Sequence, residues 1–233
     1  MLDHSSSLAS TRGGVIIEET LHYVRSTLDA PAVSLAWLDD GGEYRDAGDI
    51  GMPASIEKDY FAAGVHHLDP LFPKKLVSRS EQIHCLSTIT RAEPAQAKAN
   101  GYATFLARYG YEDEVDLVFS DGGTPFANLI IFSTHNFSGR LQALQHLHRF
   151  LQHTISCHPH VREQARLALL RNRFGLTRRE VEVVDLICSG ASNAEIASDR
   201  GIGMATVKTH VVRVLDKLGV NSRCALVAFI KNL

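Results

Sequence analysis

Two short stretches near the C-terminus constrain the fold more than anything else in the chain. Thr177-Arg178-Arg179-Glu180 and Ser192-Asn193-Ala194-Glu195 are both capping boxes. In each, the N-cap hydroxyl accepts from the backbone N–H three residues on, and the glutamate there reaches back to the N-cap N–H. A helix start leaves its first N–H groups without partners, so each box marks where a helix begins. Behind the first, Val181, Val184 and Ile187/Cys188 recur at helical spacing until Gly190. Behind the second, a short helix runs to about Asp199, and Gly201-Ile202-Gly203 makes the turn. Met204–Leu218 then reads as a longer helix. Its inner face is Val207, Val211, Val214/Leu215 and Leu218, and Gly219 closes it. Asn221 is expected to cap a last helix through Ile230.

Helix, tight glycine-containing turn, longer helix is the order of a helix-turn-helix, whose second helix enters the major groove of DNA. A plain helical bundle with solvated Lys and Arg satisfies the same spacing. The outward residues of the longer helix are Lys208, Thr209, Val212 and Arg213. Lys and Thr there reach base edges or phosphates, whereas Val212 can touch only a thymine methyl. The charge is lopsided. Residues 161–233 hold 12 Lys+Arg against 7 Asp+Glu, and residues 1–160 hold 12 against 19. A basic tail on an acidic body fits a polyanion met by the tail alone.

Residues 176–223 resemble the LuxR/FixJ-type DNA-binding domain of bacterial transcription regulators. The resemblance rests on Leu176-Thr177, Arg179-Glu180, Glu182-Val183, Gly190, Ser192-Asn193, Glu195-Ile196-Ala197, Ile202, Thr206-Val207-Lys208, His210, Lys217-Leu218, Val220 and Arg223. It implies base-facing positions for Lys208, Thr209 and Val212, and positions nearer the phosphates for Thr206, His210, Arg213 and Arg223. Arg200 stands where a leucine is usual, Gly203 where a serine is usual, and Val212 where a basic residue is frequent.

The 233 residues are 45% hydrophobic and 21% charged, enough for a sizeable core in one or two domains. No run of 18 apolar residues and no apolar leader is present, so a cytoplasmic chain is expected. Cys85, Cys157, Cys188 and Cys224 lie far apart and read as reduced, buried thiols. Residues 15–29 read as a helix, 32–38 as a buried strand, Asp39–Gly42 as a turn and 43–47 as a short strand. Pro53–Ala63, Asp69–Val77 and 95–109 read as helices, and Gln82–Leu86 as an edge strand. Two strands flank Asp121-Gly122-Gly123, and Ser138–Ser156 is a long helix with Leu141, Leu144, Leu147, Leu151 and Ile155 on one side. This order is not a βαβ alternation, so an antiparallel sheet covered by helices is expected. The expected class is therefore α+β: an α-β-α sandwich followed by an all-α four-helix helix-turn-helix domain. The expected boundaries are a sensory domain over 1–158, a linker or connecting helix over 159–172 and the DNA-binding domain over 173–233.

Within the first domain, Lys58-Asp59-Tyr60-Phe61, His67-Leu68-Asp69-Pro70, Ser78 to Leu86 and Tyr109-Gly110 resemble, in order, the autoinducer-binding domain of LuxR-type quorum-sensing regulators. That resemblance implies an acyl-homoserine lactone site in which Asp69 takes the ligand amide N–H and Tyr60 lines the acyl region. The tryptophan that donates to the lactone carbonyl is replaced by Ile56, a second aromatic position by Leu86, and an expected glycine by Glu114. The single tryptophan is Trp37, on an early strand, and is expected beside Tyr60, Ile56 and Leu86. Isoleucine cannot donate, so the lactone carbonyl would lose about 1–3 kcal/mol. Asp69 is also a natural N-cap before Pro70, and Tyr60 serves equally well as a core aromatic. A receiver domain is opposed by the missing alternation, although Asp39-Asp40 imitates its acidic pair.

The expectation is thus a non-enzymatic, cofactor-free, homodimeric DNA-binding regulator related to quorum sensing, with a non-standard or lost lactone site. The long helix offers an apolar surface for pairing. One alternative is a ligand-independent regulator of the same type. Another is a metal or redox sensor built on His146, His153, Cys157 and His160.

Overall fold

The computed structural model describes residues 12–38, 44–76, 79, 81–92, 101–137 and 139–233. The chain divides into two compact units, Met1–Pro159 and His160–Leu233. The first unit runs α1 (Arg12–Leu28), β1 (Ala32–Leu38), β2 (Tyr44–Ile50), α2 (Ile56–Ala62), a 3-10 turn (Val65–His67) and α3 (Pro73–Leu76). It continues through β3 (Ile83–Cys85), α4 (Leu86–Ala92), α5 (Gly101–Arg108), β4 (Asp113–Asp121), β5 (Thr124–Ser133) and α6 (Leu141–Ser156). The strands form one sheet in the order β2-β1-β5-β4-β3, antiparallel throughout. A receiver domain, with its parallel sheet, is thereby excluded. The turn read at Asp39–Gly42 lies outside the described residues, as do Ser78 and residues 95–100.

The helix read over Asp69–Val77 is reduced to the four residues of α3. The Asp69 carboxylate accepts from Leu71 N at 2.7 Å, so the chain makes an Asx turn through Pro70 instead of starting a helix there. The long helix starts at Leu141, three residues later than read.

Alternation along the strands splits the sheet into two faces. Val33, Leu35 and Trp37 of β1 share one face with Leu117 and Phe119 of β4 and with Leu129 and Ile131 of β5. Helices α1 and α6 cover that face. Leu144, Leu147, His148, Leu151 and Ile155 of α6 are all buried, and the His148 ring stacks on Phe119 with centroids 5.0 Å apart. The side of α6 read as a pairing surface is therefore used by its own sheet. Its exposed apolar residues are Leu141 and Phe150, the latter 6.0 Å from the Tyr23 ring of α1.

The other face carries Ala32, Glu114, Asp116, Val118, Asn128 and Phe132. It lies beneath a core of Ile56, Val65, Leu71, Leu86, Tyr102 and Phe105, with Tyr60 against it. Both faces of β4 are covered, and every residue from Asp113 to Phe119 is buried.

The second unit comprises α7 (Pro159–Asn172), α8 (Arg178–Cys188), α9 (Asn193–Arg200), α10 (Met204–Leu218) and α11 (Arg223–Lys231). Leu170 of α7 joins Val183, Val184, Ile196, Val207 and Val214 in one core, so α7 is part of this unit's packing and more than a connection. Both capping boxes form. The last helix is capped by Ser222, whose side chain accepts from Ala225 N, and not by Asn221. All four cysteines are unpaired. Cys157 and Cys224 are exposed and only Cys85 is fully buried, so the reading of four buried thiols is corrected.

Gly51 has φ +82°, and a Cβ there would sit 2.3 Å from the Pro31 carbonyl oxygen. Gly51→Ala is expected to destabilise the first unit by about 2 kcal/mol or more, lowering its melting temperature by about 4 °C or more. Gly122 has φ +54° but nothing within 4 Å of a Cβ. Gly122→Ala should cost only about 1 kcal/mol, and equal losses for the two variants would contradict the close approach.

Candidate functional site

The second unit is tied together on its inner side. Glu180, buried at the start of α8, accepts from Thr177 N at 2.8 Å and from Lys217 Nζ at 2.7 Å. Burial alone would raise its pKa, but the bonds from Lys217 and Thr177 outweigh it and hold the carboxyl below its ordinary value. Lys217 also donates to the Gly175 carbonyl at 2.8 Å, which pins the end of α10 to the start of α8. Arg200, at the usual leucine position, lies 3.3 Å from Glu182 and 3.1 Å from Asp199. Arg179 adds a 2.9 Å contact to Glu182 and donates to the Arg200 carbonyl. Arg179, Glu182, Asp199 and Arg200 thus form one ion-pair network. Gly203 caps α10 in an extended conformation without a side-chain bond.

With the inner side fixed, the outer side of α10 is left to solvent. Thr206, Lys208, Thr209, Val212 and Arg213 are all exposed, Val212 to 65%. A valine that exposed on a helix with a well-formed core is available for apolar contact with a partner. Thr209 Oγ1 donates to the Ala205 carbonyl at 3.0 Å, and its lone pairs remain available. His210 is half-buried, with Nδ1 turned inward. Arg223 donates to the Ala191 carbonyl and to Asn193 Oδ1, so it braces the loop before α9. Thr206, Lys208, Thr209, Val212 and Arg213 therefore form one outward face, while His210 and Arg223 are partly engaged within the unit.

In the first unit, four of the five expected ligand residues meet on one side of the sheet. Ile56 and Leu86 are buried in the core there, and Tyr60 packs against it. The Tyr60 hydroxyl donates to Asp69 Oδ2 at 2.6 Å. Asp69 is thus an Asx-turn acceptor and a tyrosine partner at once. Asp59, next to Tyr60, accepts from the Tyr109 hydroxyl at 2.5 Å, which ties α2 to the end of α5. Trp37 does not join them. Odd positions of β1 point to the opposite face, and its ring lies 4.9 Å from His158. An early strand position near the motif in sequence was no guide to which face it takes.

The sequence reading missed the floor of this site. Glu114, Asp116 and Asn128 are fully or almost fully buried. The Tyr102 hydroxyl donates to Glu114 Oε2, and Asn128 Nδ2 donates to Asp116 Oδ2 at 2.7 Å. Burial pushes the Asp69 pKa up to about 6, against lowering by Tyr60, Leu71 and Lys75. Burial also pushes Asp116 up to about 8, with Asp69 adding repulsion. Glu114 is raised well above its ordinary value by burial and by Asp116 and Asp69. His84, opposite Asp116 across the β3–β4 pair, is lowered by burial and bonds the Glu81 carbonyl through Nε2 at 2.9 Å. It therefore brings no charge to offset the acids near neutral pH.

His146, His153 and Cys157 are exposed, and among the described residues no three His, Cys, Asp or Glu side chains form a metal-binding group. No helix among the described residues is long and apolar enough to cross a membrane.

Residues 175–230 match the family described as bacterial regulatory proteins, luxR family. The response regulator protein VraR of Staphylococcus aureus is 52% identical over 54 residues, which is 23% of this chain and 26% of that protein. VraR of Staphylococcus epidermidis gives the same figures. The chain thus spans about a quarter of the length of the curated relatives it matches. Among solved structures, Escherichia coli SdiA is 17% identical over 92% of this chain and 89% of its own, with a TM-score of 0.41. A GAF domain/HD domain protein from Geobacter sulfurreducens is 14% identical over 67% of this chain and 99% of its own, with a TM-score of 0.46.

The buried acids give stability a sign with pH. In the unfolded chain they ionise near pH 4, whereas the folded unit keeps protons on Asp69 to about pH 6 and on Asp116 to about pH 8. The folded state therefore binds more protons between these limits. Its stability is full below the unfolded pKa and falls as pH rises through the folded values. His84 and His148, both lowered by burial, act in the opposite direction below about pH 6.5. The fall is thus read cleanly above that pH. The melting temperature of the ligand-free protein should drop by a few degrees from pH 6.5 to 8.5, and Asp116→Asn should flatten that drop. A profile unchanged by the substitution would place the titration elsewhere.

Proposed function

We propose that this chain, whose C-terminal unit carries a luxR-family helix-turn-helix, is a homodimeric, cytoplasmic DNA-binding transcription regulator with a small-molecule sensory unit at its N-terminus. The outward face of α10 carries the reading. Five exposed side chains, two of them cationic, stand on a helix whose inner side is fixed by Glu180 and Lys217. Phosphate contacts from such cations position a protein on DNA, and base-edge contacts specify the site. One such helix reads only a few base pairs. Two-fold pairing sets a second about 34 Å away, one turn of DNA.

Lys208→Ala should weaken binding to the native operator by about 1–3 kcal/mol, roughly 5- to 150-fold, if the lysine reads a base. A mobility shift at physiological salt measures this, and footprinting of the wild-type complex should show a near-palindrome. Unchanged affinity, or protection of one asymmetric half-site, would refute the assignment.

For the sensory unit, Tyr60 and Asp69 supply polar groups to a core that Ile56 and Leu86 keep apolar. Neither Ile56 nor Leu86 can donate to a lactone carbonyl. Unsubstituted acyl-homoserine lactones should therefore bind at least about tenfold more weakly than a ligand whose groups are all paired. A melting panel of lactones with different acyl chains, repeated on Ile56→Trp, measures this. A gain of response in the variant is expected. A large shift for the wild type, abolished by Asp69→Ala, would restore an ordinary lactone receptor.

A further inference from the structure

The sensory reading leaves the nature of the ligand open, and the sheet beneath Tyr60 and Asp69 narrows it. Asp116 and Asn128 have no exposed surface. Asp116 Oδ1 and Asn128 Oδ1 are buried acceptors with no hydrogen-bond partner among the described residues. The Asn128 NH2 donates to Asp116 Oδ2 at 2.7 Å, and its carbonyl oxygen has no partner among the described residues. A proton held between Glu114 and Asp116 relieves their repulsion, but it supplies nothing to Asn128.

An unfilled buried acceptor is costly, and a buried carboxylate without a counter-charge is costlier still. The charges that act on Glu114 and Asp116 come from other carboxylates. Lys75, whose charge acts on Asp69, donates to the Asp69 and His67 backbone carbonyls at 2.7 and 3.1 Å. The surrounding core of Ile56, Leu86 and Phe105 is apolar. Acceptors in excess, carboxyls that hold protons near neutral pH for want of a counter-charge, and an apolar surround together select one chemistry.

Resting on the sensory function proposed above, we propose that the ligand is a primary amine with an apolar body. Its ammonium donates to Asp116, Asn128 and Glu114, and its hydrocarbon lies toward Tyr60 and Leu86. The ammonium supplies three donors and a positive charge, and a proton shared by the carboxyls passes to solvent as it binds. A neutral lactone supplies one N–H and brings further acceptors to a place already rich in them. No covalent step is involved.

The experiment uses the full chain with phenethylamine and octylamine as probes. The neutral twins are 2-phenylethanol and octanol, and N-octanoyl-homoserine lactone is the third class. Binding is read by calorimetry and by melting temperature at pH 7.5. The amines are expected to bind at least tenfold more tightly than the alcohols of the same skeleton. Asp116→Asn and Glu114→Gln should each remove that preference, while Lys208→Ala leaves it intact. Melting curves without ligand verify that both site variants are folded. Equal binding of amine and alcohol, or a preference that survives both site variants, overturns the proposal. A lactone shift that Asp69→Asn removes, without any amine preference, rejects the amine but keeps a small-molecule sensor. No shift from any probe or from host extract rejects both.

Discussion

A carboxylate on a strand covered on both faces cannot reach water, and the first unit is arranged around that constraint on β4. Asp113 meets it with a full set of donors. It accepts from Ser87 N and Oγ, from Glu114 N and from Phe137 N, at 2.7–3.0 Å. Those bonds fasten the start of α4 and the segment before α6 to the same strand end. Glu114 and Asp116, one and three residues on, are not so provided. They share Tyr102, Asn128 and each other, and their pKa values rise accordingly. One strand therefore holds a closed structural tie at its start and an under-supplied group of acceptors in its middle. The contrast separates a carboxylate that builds the fold from carboxylates that the fold tolerates.

The second unit solves the opposite problem. Its polar groups must hold five helices together and leave one surface unspent. Capping boxes at Thr177 and Ser192 satisfy the helix starts locally, and the Glu180–Lys217 pair spans from α8 to α10. Glu180 has full burial and three bonds, so removing Lys217 would strand a buried charge. The network around Glu182 is more exposed, and each of its contacts is worth less. None of these ties uses Thr206, Lys208, Val212 or Arg213. Those positions can change without disturbing the core.

The helices of the second unit were legible because their signals are local. A capping box, a heptad-like apolar stripe and a closing glycine each act within one turn. Ser222 displaced Asn221 by a single position because either side chain can cap and the sequence does not rank them. The first unit was legible in class and order, since alternating segments and a hairpin turn act over short range. It was not legible in which face each strand residue takes. Trp37 was placed with Tyr60 although the parity of β1 sends it to His158. Asp116 and Asn128 were missed for a related reason. The alternation Glu114-Val115-Asp116-Leu117 ordinarily marks a strand with one wet face. Only the presence of helices on both sides turns those acids inward. Coverage on both faces was itself expected from the element order, so parity and coverage taken together held the signal.

A site with more buried acceptors than donors has a thermodynamic consequence that would suit the sensory role proposed above. Near neutral pH the empty unit either keeps protons that bulk water would remove or carries charges that nothing offsets, and both lower its stability. A ligand that brings donors and positive charge binds the folded state alone. It adds RT ln(1 + [L]/Kd), about 2.7 kcal/mol at a hundredfold excess over Kd. That gain is a large fraction of the 5–15 kcal/mol by which a typical domain is stable. Replacing Asp116 and Glu114 by neutral isosteres would supply the same relief permanently. Such a unit would, on the sensory reading, gain less from the ligand and respond to it less. On the sensory reading proposed above, the buried acids would serve signalling because they are unfavourable when the site is empty, and a better-paired strand at 114–116 would make a more stable and less responsive protein.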